Sequence, residues 1–128
     1  MRNTAALIAT LFAGAVAPAA AQSTSSAGAA PAITPALIAR GDTVYHGPGN
    51  CYACHGAKAE GLVGPNLTDA EWIHSKGTYE EIVAQINKGV SKEESKSGVP
   101  MPPKGGATIS DDDVKATAAY VYSLSHKK

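Results

Sequence analysis

Gly49-Asn50-Cys51-Tyr52-Ala53-Cys54-His55-Gly56 contains both cysteines of this 128-residue chain, with a histidine directly behind the second. Thiols this close together have few uses. A disulfide here would close a minute loop and barely restrain the unfolded chain. A thioredoxin-type redox pair needs a strand leading into the motif and a helix opening at it, whereas Gly47-Pro48-Gly49-Asn50 reads as a turn. A zinc site needs a second pair of ligands, and His46, His74 and His126 are not spaced as one. Haem attachment accounts for each residue. Thiols at this spacing add across the two vinyl groups of one haem, and the histidine that follows is carried beneath the iron. Cys51 and Cys54 are therefore the expected covalent anchors, and His55 the expected proximal ligand.

The N-terminus bears on the compartment. Met1-Arg2-Asn3 is a short positive start, Thr4 to Val16 is small and apolar, and Ala19-Ala20-Ala21 offers the pattern that signal peptidase accepts. Residues 1–21 read as a signal peptide cleaved before Gln22, the apolar run being shorter than the ~20 residues a bilayer span needs. Residues 22–33, rich in Ser, Ala and Gly, are expected to be a flexible leader. Residues 34–128 are expected to form one domain, exported to the periplasm. Lys+Arg and Asp+Glu balance at 11 each, so no strong field points to nucleic acid or an anionic membrane as partner.

A second axial ligand decides between an electron carrier and a reactive haem. Once Met1 leaves with the signal peptide, Met101 is the remaining methionine, in Val99-Pro100-Met101-Pro102-Pro103 just before Gly105-Gly106. A lone methionine is ordinarily core filler, but this one is on no amphipathic stripe. The surrounding prolines fix φ and reduce the entropy lost when the loop orders, as a site needs if it is to hold a weak neutral ligand on iron. Met101 is the expected second axial ligand. His74, among polar residues, and His126, in the charged tail, read as surface histidines. His46 lies too close before the motif to reach the other face.

Periodicity predicts an all-α chain. Thr34 as N-cap and Pro35 at the first position open one helix, with Leu37, Ile38, Gly41, Val44 and Tyr45 on one face. The capping box Thr78-x-x-Glu81 opens a second, which buries Tyr79, Ile82, Val83, Ile86 and Val90 and stops at Gly89. Ser110 followed by Asp111, Asp112 and Asp113 opens the last, with Val114, Ala118, Val121 and Leu124 inward and Lys127 and Lys128 suiting its end. So few helices supply a thin apolar core, and the chain without haem is expected to be largely unfolded.

From about Thr34 onward the chain resembles the class I c-type cytochromes, the small monohaem carriers of bacterial respiratory and photosynthetic chains. The residues that carry the resemblance are Cys51-Tyr52-Ala53-Cys54-His55-Gly56, Gly64-Pro65-Asn66-Leu67, Met101-Pro102 and the closing Ala119-Tyr120-Val121-Tyr122-Ser123-Leu124. It is also similar to the small haem domains fused into some oxidase and dehydrogenase subunits. The resemblance implies a small cytochrome c fold, three to five short helices wrapped around one covalently attached haem c. It implies too that the Pro65 carbonyl accepts the Nδ1 proton of His55, and that Gly41 lets the closing helix cross at close range. The polar insert Ser91-Lys92-Glu93-Glu94-Ser95-Lys96-Ser97 departs from the family and leaves the haem ligands untouched, so the family's usual partner surface does not carry over to this chain.

Two features keep alternatives open. Trp72 either donates its indole N–H to a haem propionate or packs as an ordinary aromatic. Lys88, Lys92, Lys96 and Lys104 either steer an acidic partner or, interrupted by Glu93 and Glu94, form a solvated polar loop. With both axial positions filled, the expectation is a soluble one-electron carrier that transforms no small-molecule substrate. Its partners would be redox protein donors and acceptors, and it would be monomeric unless docked to a larger complex. The alternative is a haem c subunit permanently docked to a dehydrogenase or oxidase. Met101 in its loop argues against an open-faced peroxidase or gas-binding protein.

Overall fold

The computed structural model describes residues 32–127 and contains four α-helices: α1 at Pro35–His46, α2 at Tyr52–His55, α3 at Tyr79–Lys88 and α4 at Asp111–Ser125. Among the described residues there is no β-strand, only an isolated antiparallel bridge between Val90 and Met101. The all-α expectation holds. The expected signal peptide lies outside the described residues, as does most of the expected leader; Ile33, at its end, packs against the core. No helix among the described residues is long and apolar enough to cross a membrane.

The long helices begin where side-chain chemistry tells them to. Thr34 Oγ1 accepts from the Leu37 amide at 3.2 Å, and Pro35 occupies the first turn of α1. Thr78 with Glu81 and Ser110 with Asp113 each form a complete capping box, satisfying amides that the helix itself leaves unpaired. Asp111, Asp112 and Asp113 sit in the first turn of α4, where the helix dipole favours negative charge.

The core lies where α1 and α3 pack on α4. Val44, Tyr45, Tyr79, Ile82, Ile86, Val114, Ala118 and Val121 are all buried in one cluster, and each large apolar side chain there contributes on the order of 1.5–3 kcal/mol. The α1–α4 crossing turns on Gly41. A Cβ at this position would run into the Ala116 carbonyl and stand 2.8 Å from Tyr120 Cβ, so only glycine permits the approach. Arg40 Nη2 and Asp113 Oδ1, 2.7 Å apart, tie the same two helices at the surface. The Tyr79 hydroxyl donates to the Lys115 carbonyl at 3.3 Å, joining α3 to α4.

The structure departs from the sequence expectations in detail. Val90 is not on the inner face of α3 but beyond its end, paired with Met101. Val83 and Leu124 are only half-buried. Lys127 falls past the end of α4, whose last turn contains no basic residue, and His126 caps it instead. Ala116, Thr117 and Ala119 are buried along with Val114, Ala118 and Val121, because the close crossing at Gly41 draws a broader face of α4 inward. Four residues of α2 are too few to show a period.

Candidate functional site

The cysteine motif is hung from the end of α1. The Gly49 amide donates to the Val44 carbonyl at 2.9 Å and the Cys51 amide to the Tyr45 carbonyl at 3.1 Å, which turns the chain sharply into α2. The fully buried Tyr45 sends its hydroxyl to the Gly56 carbonyl at 2.9 Å and so fixes the far end of α2. Burial raises the pKa of this phenol, and it stays a donor. Cys51 is half-buried and Cys54 exposed; burial pushes the Cys51 thiol up from its usual range.

His55 is the most constrained side chain of the motif. The residue is 8% exposed, and Nδ1 lies 2.9 Å from the Pro65 carbonyl. A carbonyl only accepts, so Nδ1 has the proton and Nε2 keeps its lone pair. Burial lowers the pKa of the ring, against the opposing pull of the Pro65 carbonyl, so the imidazole is neutral at neutral pH. That is the state in which it can ligate iron. Gly64 lies close against the ring: a Cβ there would stand 2.8 Å from Cε1 and 2.9 Å from Nδ1. The Gly64 amide donates to the Cys54 carbonyl at 2.8 Å and the Gly61 amide to the His55 carbonyl at 2.7 Å, so the loop is bound back onto the motif.

These groups line a cleft of about 470 Å³. Cys51, Cys54 and His55 share it with Met101 and Pro65, and its walls are mostly apolar: Leu62, Val63, Ile73, Ile82, Val99 and Val121. Volume and lining are those of a site for a large, flat, largely apolar group. Two thiols, a neutral imidazole and a thioether are the donor set that haem c uses. The residues present fit the group. A bare metal ion is a poorer match, since no cluster of three or more His, Cys, Asp or Glu side chains occurs among the described residues.

Met101 is positioned by backbone pairing. Its amide donates to the Val90 carbonyl at 2.9 Å, and the Val90 amide donates back to the Met101 carbonyl at 2.8 Å. The other histidines differ in their surroundings. His46 has both ring nitrogens engaged, Nδ1 with the Asp42 carbonyl at 3.0 Å and Nε2 with the Ala57 carbonyl at 2.7 Å. His126 stacks on Tyr122, with ring centroids 3.9 Å apart. His74, read from sequence as an ordinary surface histidine, is exposed and also lines the cleft.

Trp72 lines the cleft with its Nε1 edge against Gly77. Two of the four lysines considered for steering are paired with acids. Lys88, exposed, lies 3.6 Å from Glu94, as the solvated-loop reading expects, whereas the half-buried Lys104 lies 2.9 Å from Asp111 and turns back onto the start of α4. The insert is ordered by its own side chains: Ser91 and Glu94 exchange reciprocal bonds to each other's amides. Its Ser95, Lys96 and Ser97 reach the cleft. Sequence reasoning missed this, together with Gly64 against His55, because both depend on how loops return rather than on local pattern.

Comparison with known proteins agrees with this chemistry. A family model described as cytochrome c oxidase, cbb3-type, subunit III matches residues 36–121. The chain is 40% identical over 92 residues to the cbb3-type cytochrome c oxidase subunit CcoP of Rubrivivax gelatinosus, covering 71% of this chain and 27% of that subunit. It is 33% identical over 94 residues to the CcoP subunit of Cereibacter sphaeroides, covering 70% and 28%. With the FixP subunit of Sinorhizobium medicae it shares 39% identity over 79 residues, covering 59% and 27%. The chain thus spans about a quarter of the length of these curated relatives. Among solved structures, cytochrome cL of Methylophaga aminisulfidivorans superposes with a TM-score of 0.55 at 22% identity, covering 71% of this chain and 55% of that one. That likeness is one of fold.

Proposed function

Because the chain belongs to the cytochrome c oxidase, cbb3-type, subunit III family of c-type cytochromes, we propose that it is a haem c electron-relay domain working docked to an oxidase complex. The observation that carries this reading is the meeting of Cys51, Cys54, His55 and Met101 in the same apolar cleft. Its relatives are oxidase subunits, which favours the docked form over the freely diffusing carrier expected from sequence.

In this reading Cys51 and Cys54 would hold haem c through two thioethers, and His55 Nε2 and the Met101 thioether would be the ligands to its iron. Bound there, haem c supplies a one-electron iron couple, and methionine ligation raises its potential. The protein's part is to orient His55 through Pro65, to surround the group with apolar side chains, and to leave no open position for a substrate. It is an electron-transfer protein and catalyses no reaction of its own. Its partners are redox proteins, one donating and one accepting an electron.

The division into a signal peptide at 1–21, a leader at 22–33 and a haem domain at 34–128 belongs to the same proposal, with the haem domain facing the periplasm. The start of α1 at Pro35 and of the family match at residue 36 supports the last boundary.

The test has two arms. Absorption spectra of Met101→Ala beside the wild type should show loss of the methionine-to-iron band, together with carbon monoxide binding to the reduced protein. An unchanged low-spin spectrum would exclude Met101 as ligand. Affinity purification under mild detergent should recover an oxidase with the protein; recovery of the haem protein alone would restore the diffusing-carrier reading.

A further inference from the structure

The Met101 loop is held on both sides. Where the chain comes in, Val90 and Met101 pair through two backbone hydrogen bonds of 2.8 and 2.9 Å. On the far side it reverses through Pro103–Gly106, where Lys104, Gly105 and Gly106 have φ of 55°, 66° and 77°. Glycine adopts that conformation freely, but a lysine there is sterically disfavoured. A side chain retained at such a position points to a role for it.

Lys104 has one that the geometry makes plain. Its Nζ donates to the Ile109 carbonyl at 3.1 Å and to Asp111 Oδ1 at 2.9 Å. Ile109 is buried, and Asp111 is the first residue of α4. Between them Ser110 is fixed by its capping box with Asp113, which also binds Arg40 of α1. Lys104 thus fastens the loop to the corner where α1 and α4 are already joined. The turn also packs on the haem-motif side, since a Cβ on Gly105 would stand 3.3 Å from the Gly49 carbonyl.

We propose that Lys104 is a positioning residue that latches the Met101 loop against the start of α4 and so sets how readily an outside ligand displaces Met101. The inference rests on the reading of Met101 as an axial ligand. An external ligand binds only while the loop is open, so its apparent affinity scales with the open fraction. Removing the latch raises that fraction.

Imidazole titration of the purified ferric holoprotein tests this, followed by the Soret shift alongside the methionine-to-iron band. Lys104→Ala should bind imidazole about tenfold more tightly than the wild type, whereas Lys104→Arg, which keeps the cation and its donors, should stay within about twofold. High salt should raise the wild-type affinity and leave Lys104→Ala unmoved, because the Lys104–Asp111 pair reaches solvent. If the wild type shows the band and Lys104→Ala binds imidazole as the wild type does, the latch is overturned and Met101 ligation stands. A lowered unfolding midpoint in Lys104→Ala with unchanged imidazole affinity also overturns it, by reducing Lys104 to a merely structural role. A wild type without the band overturns both readings.

Discussion

His55 Nδ1 and the Pro65 carbonyl oxygen stand 2.9 Å apart, and the same loop brings Gly64 so close to the imidazole that a Cβ on it would lie 2.8 Å from Cε1. The ring is thus held by an acceptor at one edge and by the close approach of Gly64. Both supports come from backbone atoms, which makes the two neighbouring residues very unequal in what they tolerate.

Pro65→Ala keeps the carbonyl and loses only the fixed φ, so it should cost no more than about 1 kcal/mol and leave haem attachment intact. Gly64→Ala places a methyl 2.8 Å from His55 Cε1, and overpacking of this kind costs about 1–3 kcal/mol. Haem c per polypeptide, measured by pyridine haemochrome, should fall in Gly64→Ala and stay at wild-type level in Pro65→Ala. Equal losses in both would mean that the ring is not supported in this way.

The Gly41 crossing gives a sharper test of the fold. A methyl on Gly41 has no flexible side chain to displace, because what it meets is the Ala116 carbonyl and the Tyr120 Cβ. Gly41→Ala would gain about 1 kcal/mol in an isolated helix, yet here it should destabilise by about 2 kcal/mol or more as α1 and α4 are forced apart. In a domain of this size, thermal unfolding followed by circular dichroism should show a midpoint lowered by about 8 °C or more. A midpoint at or above the wild-type value would show that the helices part without cost.

How much could be read in advance follows from which interactions are local. Thr34, Thr78 and Ser110 start helices through bonds to amides three residues on, so the sequence around each contains the whole signal. Gly41 was legible only through family resemblance, since nothing near it in sequence states that Ala116 lies above. The cysteine motif and Met101 among its prolines stood out by residue type. Their supports did not. The Val90 pairing, the Gly64 contact and the Lys104 bond to Asp111 join segments whose approach is set by loop conformation, and loops carry no period to read.

The cleft walls bear on stability without haem. Leu62 is 68% exposed, and Val63, Ile73 and Val99 are also exposed beside it. In a Cys51→Ala, Cys54→Ala variant these walls would face water, and the hydrophobic gain from covering them would be lost at about 25 cal/mol per Å². What is left is the small α1–α3–α4 core, which is marginal for a domain of this size. The variant should lose most of its helical signal in far-UV circular dichroism and melt without a cooperative transition. Native helix content with a sharp melt would show that the three helices suffice alone.

Asp113 should give the fold a measurable acid limit. The Ser110 hydroxyl first, and then Arg40, hold its carboxyl below the usual carboxylate range. A depressed folded pKa means that the carboxylate favours the folded state at neutral pH, and that this contribution fades as pH falls through the folded value. Asp113→Asn keeps a capping oxygen but cannot titrate. The difference in unfolding midpoint between wild type and Asp113→Asn should therefore be constant near neutrality. It should shrink steadily toward zero as the pH falls through and below the ordinary carboxylate range. Raising the salt concentration should narrow the difference at neutral pH without moving the acid end, because the Arg40 pair is exposed and screened. A difference that stayed constant down to the acid end would assign the stabilisation to the neutral hydrogen bonds of the cap, with no part played by the charge.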